Sequence, residues 1–262
     1  MLCKKLICIC QNKKRRQSRT GLYFLIPSLL GVSIFVLIPF LDVVRRSFLS
    51  AVGETFVGIY NYREVLTNEA FLLAGKNTLR FTLICIPLLL TLSLSIALMI
   101  GKQGKMGELL KSAYLVPMAV PVASIVLLWQ YLFHSQGLMN EVIYKLNQLI
   151  PLFPKRQIDW MNTGYSFWIL IFTYIWKNLG YDIILWIAGL ASIPGGIYEA
   201  AKVDGAGEIQ CFFYITLPNL LPSFFTITVL SLLNSFKVFR EAYLIGGDYP
   251  QENMYLLQHL FQ

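Results

Sequence analysis

The chain has 262 residues, 56% of them hydrophobic and only 14% charged, where soluble domains carry roughly a quarter charged residues. That balance excludes an ordinary soluble domain and makes a bilayer the solvent. The net charge of +8 does not signal nucleic acid either, because seven of the 22 basic residues fall in the first 19 positions, mostly as KK at 4 and 5 and KKRR at 13–16.

That basic segment, residues 1–20, reads as a cytoplasmic N-terminus by the positive-inside tendency. Cys3, Cys8 and Cys10 lie in it, in LCKKLICIC. On that side disulfides rarely persist, and no histidine stands nearby to complete a zinc set, so they read as reduced, unliganded thiols, with juxtamembrane lipidation the minor alternative. Residues 21–262 read as one integral domain.

Five apolar runs reach the roughly 20 residues that carry a helix across the roughly 30 Å hydrocarbon core: Leu22–Leu41, Leu79–Ile100, Ala113–Phe133, Tyr165–Leu190 and Leu220–Phe239. The first is too long for a signal peptide, and no small-residue cleavage pattern follows Phe40-Leu41-Asp42, so it reads as an uncleaved span. The expected fold class is therefore all-α integral membrane, with residues 42–78, 134–164 and the tail from about Gly246 outside, and 101–112 and 191–219 inside. Lys102, Lys105 and Lys111 fit the inner placement; Arg45 and Arg46, just past the first span, oppose it. The first outer loop is expected to carry a short surface helix around Tyr62–Leu73. In the second, Pro151 and Pro154 forbid a continuous helix.

The fourth run places Lys177, Asn178 and Asp182 of KNLGYD near mid-membrane, where each charge costs about 2.5–3.5 kcal/mol on insertion scales. Lining a translocation path explains them; a kinked helix whose charges are neutralised by neighbours is the bland alternative. The fifth run holds Ser231, Asn234 and Ser235, with Lys237 and Arg240 beyond them. Ser231 and Asn234 share a helix face, and helix-to-helix hydrogen bonding and solute contact both remain open for them.

Between these two runs lies PGGIYEAAKVDGAGEIQCFFYITLP, residues 194–218. Pro194 suits a first helical turn, Ile197 to Val203 suit a short helix thinned by Ala200 and Ala201, and Asp204-Gly205 signals a turn. A second helix follows, with Ile209, Phe212, Phe213 and Thr216 recurring at i, i+3, i+4 and i+7. Such a pair can rest on lipid headgroups, but Glu199, Asp204 and Glu208 against Lys202 alone would be repelled by an anionic leaflet. A protein partner fits better.

EAAKVDGAGEIQCFFYITLP resembles the EAA loop of permease subunits of binding-protein-dependent ABC importers, with Glu199, Ala200, Ala201, Asp204, Gly205, Ala206, Phe212 or Phe213, Ile215, Leu217 and Pro218 matching in order. FVGIYNYREVL, KNTLRFT and SFKVFREAYLIGG are similar to stretches of the sugar and glycerol-phosphate branch of that family. The resemblance implies a bacterial cytoplasmic-membrane protein, partnered by a second permease, a cytoplasmic ATPase dimer and an external solute-binding protein that delivers a sugar. Coupling to the ATPase would fall to Glu199, Ala200, Ala201, Asp204, Gly205, Ala206 and Pro218, and the substrate path to Asn178, Gly180, Tyr181, Ser231 and Asn234. Family members of this branch have a sixth span, which this chain is expected to lack, ending at MYLLQHLFQ. A non-transporting paralogue that binds the ATPase or scaffolds the complex is therefore the rival reading.

No GxxxxGK[ST], GxSxG or HExxH pattern occurs, so the chain is expected to be no enzyme, with ATP held by a separate subunit and neither metal nor cofactor of its own. His134 and His259 stand alone near outer boundaries.

Overall fold

The computed structural model describes residues 24–50, 52–53, 55–101, 104–149, 158–247 and 250–261. The basic N-terminus, its three cysteines, Lys102, Pro151 and Pro154 lie outside the described residues. Among the described residues every regular element is a helix, with one isolated antiparallel bridge between Leu49 and Phe56, and they fall into two compact units divided after Asn68.

In the first unit, α1 (Phe24–Ser47) is long and apolar enough to cross a membrane. Asp42 neutralises its last turns, with Arg46 at 2.7 Å and Arg45 at 3.7 Å. A tight turn follows, with Gly53 at φ 89°, and leads to α2 (Tyr60–Thr67). Asn61 clamps it by donating to the carbonyls of Ser47 and Leu49 at 2.9 and 2.8 Å. The surface helix expected around Tyr62–Leu73 thus ends early. Asn68 turns extended, with ψ 123°, and Glu69 opens the next helix.

The second unit is built on α3 (Glu69–Gly101) and α7 (Ser166–Ala191). The 33 residues of α3 span about 50 Å at 1.5 Å per residue, more than the hydrocarbon core needs. The two helices run in the same direction. In their N-terminal halves Phe81 meets Phe167 and Tyr174 edge-on at 6.4 and 5.4 Å, and in their C-terminal halves Trp186 Nε1 donates to Ser93 Oγ at 3.0 Å. Apolar packing follows the same axis, with one cluster around Phe81, Phe167 and Met254 and another around Ile100, Trp186, Ile193 and Leu220.

The run expected as one span over Ala113–Phe133 is divided into α4 (Gly104–Ala119) and α5 (Val122–Phe133), and the axes on either side of the break differ by 91°. Proline explains the corner. Pro121 lacks an N–H, sits at ψ 137° and disfavours helical backbone at Val120. Beyond α5, a turn at His134–Gly137 leads to α6 (Leu138–Leu149). After α7 come α8 (Gly195–Val203) and α9 (Glu208–Asn219), then α10 (Leu221–Ser235) and α11 (Phe239–Gly246). Among the described residues two helices are long and apolar enough to cross alone, and up to five spans result if each bent pair counts as one.

The last described residues form two short 3₁₀ turns, Glu252–Met254 and Leu257–Phe261, that strap the first turns of α3 and α7. Buried Asn77 donates to the carbonyls of Glu252 and Tyr255, Thr78 accepts from the Leu257 amide at 3.0 Å, and Asn253 donates to the Gly164 carbonyl at 3.1 Å.

Candidate functional site

The stretch 194–218 folds as a helical hairpin at the far end of the bundle from that strap. Pro194 is the cap residue rather than part of the first turn, and α8 starts at Gly195. Its end is a Schellman cap. The Ala206 amide donates to the Ala201 carbonyl at 2.9 Å and the Gly205 amide to the Lys202 carbonyl at 3.1 Å, with Gly205 at φ 80°. That left-handed conformation is why glycine stands after Asp204. The cap reverses the chain within four residues and leaves Glu199, Ala200 and Asp204 exposed together, with Ala201 and Ala206 half-buried.

The second helix departs from the expected periodicity. A π turn over Phe212–Thr216 places Cys211 and Thr216, five apart, on the same buried side, and Thr216 Oγ1 donates to the Cys211 carbonyl at 3.3 Å. The 3.6-residue stripe does not survive a π turn, so Ile209 and Phe213 are exposed, at 75% and 56%. The hairpin is closed by Tyr198 and Thr216, whose hydroxyl oxygens lie 2.9 Å apart. Leu220, fully buried, seats its end in the apolar cluster with Trp186 and Ile193. Pro218 is exposed, just before the 63° bend into α10.

A polar seam runs between α7, α10 and α11. Despite its polar residues, α7 continues unbroken from Ser166 to Ala191. Lys177 Nζ lies 2.6 Å from Glu241 Oε1 of α11. Asp182, 2% exposed, accepts from Ser231 Oγ at 3.1 Å, and Tyr174 donates to the Ser231 carbonyl at 2.7 Å. Both charges of KNLGYD are thus met by partners, though without the kink that the bland reading attached to them. Glu241 was not legible in the sequence as the counter-charge. The signal available was that a mid-span lysine requires an acid, and Glu241 follows Arg240 directly in FREAYL.

The five residues expected on the substrate path do not form one cluster. Ser231 joins Asp182. Asn178 donates to the Tyr174 carbonyl of its own helix at 2.8 Å. Gly180 is buried on another side of α7, where an added Cβ would lie 1.8 Å from the Tyr114 carbonyl oxygen of α4, so it lets two backbones touch. Tyr181 and Asn234 are half-buried. In α10 the buried stripe is Ile227, Ser231 and Ser235, and Asn234 borders it. Among the described residues no group of three His, Cys, Asp or Glu stands close enough to hold a metal.

The sequence profile of the binding-protein-dependent transport system inner membrane component matches residues 89–258, which include the hairpin and the seam. The trehalose/maltose transport system permease protein MalF of Thermococcus litoralis is 29% identical over 243 residues, covering 90% of this chain and 80% of the relative. The sulfoquinovosyl glycerol transport system permease protein SmoG of Agrobacterium fabrum is 30% identical over 233 residues, covering 86% and 73%. The arabinooligosaccharides transport system permease protein AraP of Bacillus subtilis is 30% identical over 252 residues, covering 91% and 76%. In fold, the chain is similar to one in the crystal structure of a bacterial alginate ABC transporter in complex with an alginate pentasaccharide-bound periplasmic protein, with TM-score 0.72, 21% identity and coverage of 94% and 81%. The family is one of transport components rather than enzymes, and its members sit in the inner membrane. By its sequence, this chain belongs to the family of binding-protein-dependent transport system inner membrane components.

Proposed function

We propose that this chain is a permease subunit of an ATP-driven importer of a sugar or oligosaccharide, paired with a second permease and served by an external solute-binding protein. The observation that carries the reading is the α8–α9 hairpin: a rigid, acid-bearing, alanine-thinned surface, fixed to the bundle through Tyr198 and Thr216. A cytoplasmic ATPase dimer would grip this surface, with Glu199 meeting a basic group there. Its closure on ATP would then tilt α7 and α10 as rigid bodies between outward- and inward-open arrangements. Ala200, Ala201, Asp204, Gly205, Ala206 and Pro218 would shape and terminate the contact. The N-terminus would lie in the cytoplasm, as the seven basic residues in its first 19 positions favour over Arg45 and Arg46 alone.

The relatives named above are all transport permeases, and the solutes in their names are sugars or sugar derivatives. Both points support the transporting reading over a scaffold. Along the path, Asn178, Tyr181 and Asn234 would offer amides and a ring to a sugar, Ser231 would add its hydroxyl only where its bond to Asp182 opens, and Gly180 would hold α7 against α4. The test is uptake of labelled maltose, trehalose or arabino-oligosaccharide by cells carrying the chain with its ATPase, second permease and binding protein. Uptake should vanish on Glu199→Lys or Gly205→Pro while the subunit stays in the membrane. Undiminished uptake by both variants would remove the docking role.

A further inference from the structure

A concavity of about 410 Å³ opens at the corner between α5 and α6, lined by Gln130, Tyr131, His134, Gln136, Gly137, Leu138 and Glu141. That volume lies within the roughly 300–1,000 Å³ of small-molecule sites. None of the residues assigned to the substrate path lines it. We infer that this corner is a second, shallow binding site for a neutral saccharide, where sugar is held before or beside the α7–α10 seam.

The corner is built to a fixed shape. Gly137 is buried, and a Cβ there would lie 2.6 and 2.7 Å from the carbonyl oxygens of Tyr131 and Leu132, so only glycine lets the turn into α6 pass this close to the end of α5. Asn140 locks the turn. Its amide donates to the carbonyls of Ser135 and Ile158 at 2.8 and 2.7 Å, and its oxygen accepts from Trp160 Nε1 at 3.1 Å. A preformed shape spares a ligand the cost of ordering the site.

The lining has hydrogen-bonding capacity left over. The side-chain amides of Gln130 and Gln136 and the Tyr131 hydroxyl have no partner among the described residues. His134 Nδ1 accepts from the Gln136 amide at 3.3 Å, so Nε2 is the ring nitrogen left for a ligand. Glu141 gives Oε1 to Lys145 at 2.8 Å and keeps Oε2 as an acceptor. Because that pair cancels its own charge, the corner favours a neutral ligand over an ion. Donors and acceptors interspersed in this way match a ring of hydroxyls, and Tyr131, 68% exposed, offers its ring face to the C–H face of a sugar.

The choice of saccharide rests on the import reading, and the experiment separates the two. The full chain in phosphatidylcholine nanodiscs is titrated with maltose, trehalose and arabinobiose by saturation-transfer NMR. Tyr131→Ala and Gln136→Ala should each weaken binding at least tenfold, while Tyr144→Ala, an exposed ring on α6 outside the lining, should not. Both lining positions are exposed and should fold normally, whatever the fate of Gly137→Ala. No binding by the unsubstituted chain, or binding indifferent to both lining variants, overturns the site. Uptake by the assembled importer is scored in parallel. Uptake without Tyr131-dependent binding leaves import standing and removes the site, whereas binding without uptake does the reverse.

Discussion

Lys177 Nζ and Glu241 Oε1 meet at 2.6 Å, 64 residues apart in sequence, and join α7 to α11 by a largely buried ion pair. Removing one partner strands the other charge, at a cost of roughly 3–5 kcal/mol for a buried pair; the partial exposure of Lys177 puts this site at the lower end. Lys177→Met and Glu241→Leu should each lower the melting temperature in detergent, and the double substitution should recover most of the loss. Additive losses would show that the two side chains do not act as a pair.

Two glycines of α7 make contrasting close approaches. At Gly180 a Cβ would meet the Tyr114 backbone oxygen at 1.8 Å, and at Gly189 it would meet Ser223 Oγ at 2.4 Å. At Gly180 backbone has to move bodily, whereas at Gly189 the Ser223 hydroxyl can rotate away and its Cβ, at 2.9 Å, has to shift only slightly. Gly180→Ala should therefore cost more than the roughly 1–3 kcal/mol typical of overpacking, and Gly189→Ala less than Gly180→Ala. Melting curves of the two variants should keep that order.

Asn178 donates to the Tyr174 carbonyl at 2.8 Å, an interaction that a purely structural residue would also make. If it contacts sugar as well, Asn178→Leu should reduce substrate-stimulated ATP hydrolysis by the assembled importer more than basal hydrolysis. Equal reductions would mark it as structural.

The strap over α3 hangs on Asn77, whose amide serves two carbonyls at once. Asn77→Ala leaves those carbonyls without their donor, at about 1–3 kcal/mol. Backbone amides of residues 252–261 should then exchange with deuterium about tenfold faster or more, while those of α7 keep their protection.

Acid should loosen the same strap. Burial pushes the His259 imidazole below its ordinary value of 6.5; the rings of Phe239 and Tyr255 face it, and its Nδ1 accepts the Leu256 amide at 3.2 Å. The closed strap thus favours neutral histidine and the opened strap takes the proton first. Strap stability should be full above that ordinary value and decline as pH falls below it toward the lowered one. Protection factors at residues 255–261 should fall as the pH is lowered below 6.5, and His259→Phe should flatten the dependence.

How much of this was readable from the chain depended on how local each cause is. α1, the later part of α3 and, in spite of KNLGYD, α7 follow from long apolar runs, and the Gly205 turn from a residue type that readily takes its left-handed backbone. Pro121 carried its signal openly too, yet apolar composition on both sides concealed a 91° corner. The Ile209–Phe213 stripe failed because periodicity assumes one helix type throughout. Beyond reach were contacts closed by the fold itself, such as Lys177 with Glu241 and Gly180 with Tyr114, since nothing in either segment names its partner.

The π turn at Phe212–Thr216 gives this subunit a length reserve. A π turn holds one residue more than an α-helix needs over the same arc, so losing a residue there relaxes the helix to ordinary winding and leaves everything downstream in phase. A deletion a few residues later, inside α10, would rotate Ser231 by about 100° away from Asp182. The joint between lever and seam is therefore the place where the chain can shorten without misaligning either.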